Sequence, residues 1–356
     1  MTSMRRRRIG ALAAGAAMIA AAVVLVVFLA GQSNGSNATG PTGGGSTPGS
    51  SPTSPPPPPT CPLTGEVAKN GRVPNRPILA VKVENLPAAR PQTGLSWADI
   101  IYEEPVEANI TRFIALYQCT DASRVEPVRS ARFTDADVLS QFGQAAIAYS
   151  GGVPKVQDSL EGAGLVVISA STYPDAFTRD PAREAPHNLY TSTKGLYRLV
   201  GDRAGGPPEP FFQYTDGSPK GKKTGGIHLP FSTYSDVYWR WNASTKRYLR
   251  WHGDVPHTYS DGTQVSAANV VVQVVDVKMT DVHDVNGVAS PEVVATGHGT
   301  AYVFRGGKMV KGTWVRESKD DRTKYLDAKG HEIKLLPGNT WVELFPSNLP
   351  LSVLPS

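Results

Sequence analysis

The chain has 356 residues, two cysteines and a formal net charge of +5. Residues 1–60 hold four arginines, Arg5 to Arg8, and no acid, so 32 Lys and Arg face 31 Asp and Glu in the remainder. That near-neutral remainder excludes nucleic-acid binding argued from charge. Its ~295 residues are enough for one large domain or two.

Residues 9–30 carry no charge and no strongly polar group. At ~1.5 Å per residue they span a bilayer core, whereas the apolar region of a secretory signal runs only ~7–15 residues. Phe28-Leu29-Ala30 is a poor cleavage site, so the expectation is an uncleaved signal-anchor, with a cleaved signal as the alternative. Arg5–Arg8 then stay in the cytoplasm and the bulk lies outside it: a single-pass cell-membrane protein. Gln32 stands where a lipoprotein would need its lipidated Cys. Residues 31–60 contain only Gly, Ser, Pro, Thr, Asn, Gln and one Ala. They are expected to form a disordered linker, because nothing there repays the entropy of folding. Cys61 and Cys119 lie in the exported part, where an even count favours a disulfide over two reduced, buried thiols.

Residues 78–83 (ILAVKV), 100–102, 110–118, 145–149 and 165–168 read as strands. Thr134 is placed as the cap of a helix over 135–142, and Thr191 as the cap of one carrying Leu196, Leu199 and Val200. Val153, Val156 and Leu160 recur at helical spacing. Alternating strands and helices predict a mixed sheet with packed helices over residues 61–225. There is no GxGxxG or GxxxxGK[ST] motif, and no cofactor is expected. After Pro207-Pro208 and the Gly-rich stretch at 220–226, the pattern becomes strands alone. Val237, Trp239 and Trp241 form a hairpin with residues 248–251, and NVVVQVVDV at 269–277 is a core strand. Residues 301–304 and 309–315 form a second hairpin, and 341–345 closes the set. The fold class is thus α+β: an N-terminal mixed-sheet α/β domain, then a smaller antiparallel β-rich domain over 226–356.

VKVENLPAARPQTGLSWADIIYEEPVEANITRF, with PVRSAR, Gly151-Gly152 and APHNLYTS, resembles the YerB-like family of bacterial envelope proteins. The resemblance runs from about residue 61 to about 346. It implies an α/β module, a β-rich module and an extracytoplasmic location, in a family whose domain has no assigned function and whose members are described as lipoproteins. Without the lipidated Cys, lipid anchoring does not carry over to this chain.

A polar cluster holds the candidate chemistry. Arg112, Arg129 and Arg132, with Asn109 and Asn188, are candidates for holding a phosphate or carboxylate. His187 is a candidate acid or base, and Glu104 and Glu107 are its candidate carboxylates; Glu103 lies beside them. The competing reading has these arginines pairing with Glu103, Glu104, Glu107 or Glu126 to hold loops. Trp239, Trp241, Trp251, Tyr238 and Tyr248 offer an aromatic strip for sugars, with core packing favoured for Trp239 and Trp241. Asp276, Asp281, His283 and Asp284 fit no metal loop, and no metal site is expected. The leading expectation is a membrane-anchored protein binding an anionic or glycan ligand, or a partner protein, at the envelope. Alternatives are a cell-wall hydrolase or transferase using His187 and a glutamate, and a scaffold without a small-molecule site.

Overall fold

The computed structural model describes residues 57–284 and 287–356. The expected anchor over 9–30 and most of the linker lie outside the described residues. Among the described residues no helix is long and apolar enough to cross a membrane. The described residues before Cys61 pair with the chain: Ala68 N donates to Pro59 O at 2.9 Å, and Thr60 pairs with Val67.

Strands of three or more residues are, in order, β1 (Leu79–Glu84), β2 (Ile100–Val106), β3 (Ile110–Tyr117), β4 (Ala146–Tyr149), β5 (Val166–Ser169), β6 (Gly226–Pro230), β7 (Asp236–Asn242) and β8 (Arg247–His252). They continue with β9 (Asn269–Val275), β10 (Val277–His283), β11 (Ala289–Val293), β12 (Gly297–Arg305), β13 (Lys308–Arg316), β14 (Lys324–Leu326), β15 (Thr340–Pro346) and β16 (Ser352–Leu354). The helices are α1 (Phe133–Ser140), α2 (Pro154–Gly162) and α3 (Thr193–Val200).

One large mixed sheet runs β14-β13-β12-β9-β15-β2-β3-β1-β4-β5. The expected α+β class holds, but this sheet does not stop at residue 225. β15 pairs in parallel with β2 on one side and with β9 on the other, so the closing strand is not antiparallel. A strand buried on both faces reads as a near-continuous apolar run, TWVELFP, which gives no sign of its partners' direction.

Period-two alternation sorts the sheet's two faces. Leu79, Val81 and Val83 join Ile101, Trp239, Tyr248 and Trp341 in one core. Ala80, Ile100, Tyr102 and Ile114 join Leu139 of α1 and Leu160 of α2 in the other. A second sheet, β8-β7-β6-β16, therefore covers one face and α1 and α2 the other. Trp239 is fully buried, as its place at the core favoured, and donates Nε1–H to Glu343 Oε1 at 2.7 Å. Two caps differ from expectation. Thr134 Oγ1 accepts from Val293 N, and Asp135 instead binds the Arg132 amide at the start of α1. Ser192, not Thr191, caps α3 through Gly195 N.

Two ionic groups are sealed in the sheet. Arg250 donates to Glu103, His252 and His257. Burial and the Glu103 charge push the Glu343 carboxyl far up, so it keeps its proton beside Glu103. On the other face Lys82, fully buried, bonds Glu104 and, at 2.6 Å, Asp135. Burial pushes Glu104 up to about 7, against the pull of Lys82 and with the push of Asp135.

Cys61 and Cys119 form the expected disulfide, with Cα atoms 5.9 Å apart and 58 residues between. Cys61→Ala/Cys119→Ala should lose up to about 4 kcal/mol in urea unfolding if loop entropy dominates; an unchanged midpoint would show the crosslink contributes nothing. Glu104 titrates near 4.5 when unfolded and higher when folded. Its contribution to stability is therefore complete below about 4.5 and is lost as pH rises through about 7. Glu104→Gln should flatten that decline in denaturation at roughly pH 5 to 8; parallel curves for both proteins would place the proton on another group.

Candidate functional site

The strand ends around Glu84 bring the arginines together. Arg112 on β3 stands opposite Glu84 of β1 and Glu104 of β2. The loop after β3 returns across the end of β1, where Arg129 N donates to Lys82 O at 2.9 Å. Arg132 ends that loop as the residue before α1. The three side chains line a pocket of about 250 Å³ with Glu107, Ser130, Gly152, Val153, Asp284 and Ser290. Gly152 and Val153 lead into α2, which has Pro154 in its first turn and no side-chain cap.

The three arginines are not equally satisfied. Arg132 bonds Glu107 at 2.6 and 2.7 Å, and Glu107 also accepts from Ser290. Burial alone would raise Glu107, but Arg132 and Ser290 outweigh it and hold the carboxyl below its ordinary range. Arg129 Nε lies 3.1 Å from Glu84 Oε1 as an ion pair without hydrogen-bond geometry. Arg112 is 5% exposed and donates to Ser130 O, while its Nε has no partner among the described residues. Burial first, then repulsion from Arg132 and Arg129, pushes Arg112 down to about 10, so it stays charged at neutral pH.

Glu84, which the sequence reading passed over, links this pocket to His187. It is 1% exposed and holds Arg129 through Oε1 and His187 Nδ1 through Oε2 at 2.8 Å. A carboxylate ending the buried run ILAVKVE was the available signal. His187 itself faces a larger cleft of about 680 Å³ with Arg90, Arg124 and Arg183. Those arginines are committed: Arg124 to Glu126 and Asp180, Arg183 to the Ala89 and Pro91 carbonyls, and Arg90 to Asn85 and the Tyr234 carbonyl. In the smaller pocket, by contrast, Arg112 keeps a buried Nε without a partner among the described residues.

The remaining candidates separate. Glu104 lies in the core with Lys82, Glu107 pairs with Arg132, and His187 pairs with Glu84, so no His187–Glu104 or His187–Glu107 pair forms. Asn109 does not reach the pocket lining; with Ala108 it takes a left-handed backbone (φ 56° and 58°) that turns β2 into β3. Asn188 is buried and binds Arg179 and the Asp180 and Arg183 carbonyls, a loop-holding role. No group of three or more His, Cys, Asp or Glu among the described residues is arranged to hold a metal.

Residues 63–205 match the "Protein of unknown function (DUF3048) N-terminal domain", and residues 227–342 match its C-terminal domain. The chain is 26% identical over 295 residues to "Putative lipoprotein YerB" of Bacillus subtilis (strain 168), covering 80% of this chain and 86% of that protein. The crystal structure of YerB from Bacillus subtilis superposes with a TM-score of 0.70 at 24% identity, over 82% of this chain and 99% of that one, which shows a shared fold. Both halves and their order are accounted for: the chain belongs to the YerB-like two-domain family.

Proposed function

We propose that this protein is an envelope protein held by a single membrane-spanning segment at residues 9–30, and that its α+β body takes an anionic group in the pocket of Arg112, Arg129 and Arg132. The relative's name supports an envelope location. Its lipid attachment does not transfer, because Gln32 replaces the needed Cys and both cysteines are joined to each other. A protein segment then serves as the anchor, with the basic Arg5–Arg8 on the cytoplasmic side.

The observation that carries the binding reading is the charge imbalance at Arg112. Like charges at Arg129 and Arg132 disfavour its ionised form, and its Nε is buried without a partner. A buried donor left unsatisfied costs ~1–3 kcal/mol, which an arriving anion recovers along with the repulsion. The deep groups at Lys82 and Arg250, by contrast, each have carboxylates in contact.

Arg129→Ala/Arg132→Ala should weaken anion binding at least tenfold by calorimetry on the full chain in neutral detergent, since each charge-assisted bond contributes ~1.5–3 kcal/mol. Equal affinities in a variant that melts normally would sink the pocket as the site. Because the native cysteines are paired, Ser36→Cys supplies a unique thiol. A membrane-impermeant maleimide should label it on intact cells; labelling only after permeabilisation would reverse the proposed orientation.

A further inference from the structure

We infer that the group this pocket takes is a tetrahedral phosphoryl group, in preference to a planar carboxylate. The inference rests on the anion reading above and narrows it.

One guanidinium fork already engages both oxygens of a carboxylate. Here three guanidinium groups arrive from two stretches of chain, Arg112 from β3 and Arg129 and Arg132 from the loop after it; Arg132 is already bound to Glu107, which leaves donors of Arg112 and Arg129 for a ligand. A phosphoryl group offers enough oxygens, spread in three dimensions, to engage more than one fork at once. The pocket also has donors that no arginine supplies. The backbone N–H groups of Gly152 and Val153 meet no acceptor among the described residues, and they stand at the start of nine-residue α2, whose dipole favours negative charge. The Ser130 hydroxyl lines the same pocket and makes no hydrogen bond among the described residues. Arg112, 5% exposed and with its Nε lacking a partner among the described residues, adds a second observation at the same place.

Two carboxylates also line the pocket. Glu107 is engaged by Arg132 and Ser290, and Asp284 shares the wall. They select against a second anionic group on the same ligand. At about 250 Å³ the pocket is below the ~300–1,000 Å³ of sites that engulf a drug-sized molecule. It holds a phosphoryl group and a few attached atoms, with the rest of the ligand outside. A soluble or polymeric phosphate ester and a phospholipid headgroup both present this chemistry.

The test is calorimetry on the full chain in neutral detergent, titrating inorganic phosphate, glycerol 3-phosphate, dihexanoyl phosphatidic acid and, as the carboxylate, glucuronate. The expected result is phosphate-ester binding at least tenfold tighter than glucuronate, reduced at least tenfold by Arg112→Gln. Should that variant fail to fold, Arg129→Lys keeps the charge but removes the fork, and should lose at least fivefold for the phosphate esters alone. Tighter binding of the phosphatidic acid than of glycerol 3-phosphate supports a lipid source; equal or weaker binding supports a soluble or polymeric one. Glucuronate binding as well as or better than the phosphates overturns the phosphoryl inference and leaves the anion site standing. Binding of none of the four overturns both.

Discussion

The rest of this structure depends on the parallel insertion of β15 between β2 and β9. A strand from near the end of the chain pairs on one side with a strand from near residue 100 and on the other with one from near residue 270. Every residue of β15 is buried, so its amides and carbonyls have no water to fall back on and must be met by both neighbours. The two family domains therefore share one sheet. Trp341 extends the join into the core, 5.2 Å from both Phe113 and Trp239, which come from opposite halves of the chain. Each such aromatic contact adds ~0.5–1.5 kcal/mol beyond its burial.

Charge is treated differently at different depths. Deep in the sheet, Arg250 meets Glu103 and two neutral imidazoles, with the raised carboxyl of Glu343 beside Glu103, and Lys82 meets Glu104 and Asp135. Burial and the Arg250 charge hold His252 and His257 well below their usual range, which lets them accept from that arginine. Toward the strand ends the matching lapses. Arg112, Arg129 and Arg132 gather against Glu84 and Glu107 with donors left over.

Much of the architecture was legible because it was written in local patterns. The runs at 78–83 and 269–275, and the Trp239 hairpin, carry the period and β-branched content that strands need. The long-range pairing of β15 was not legible, because a fully buried strand shows no alternation and no local sign of its neighbours. Among site residues, Arg112, Arg129 and Arg132 were singled out by their density in a short stretch, and the fold gathers them. Glu84 was missed because its partners His187 and Arg129 lie 103 and 45 positions away in sequence. Asn109 lies outside the pocket lining, in a left-handed turn of the kind that favours asparagine.

The disulfide sets how the body bears load. A pull on the chain from its N-terminal side passes the Pro59 and Thr60 backbone pairs to Cys61, and the crosslink hands that tension directly to Cys119, just beyond β3. The 58-residue loop between them is bypassed, so roughly 200 Å of potential extension is withheld while the bond is intact. Tension enters instead beside a strand flanked by β1 and β2 in the middle of the large sheet. Reduction of the bond would reroute the same tension through Leu63, β1 and β2, so oxidation state governs which part of the body yields first under stretch.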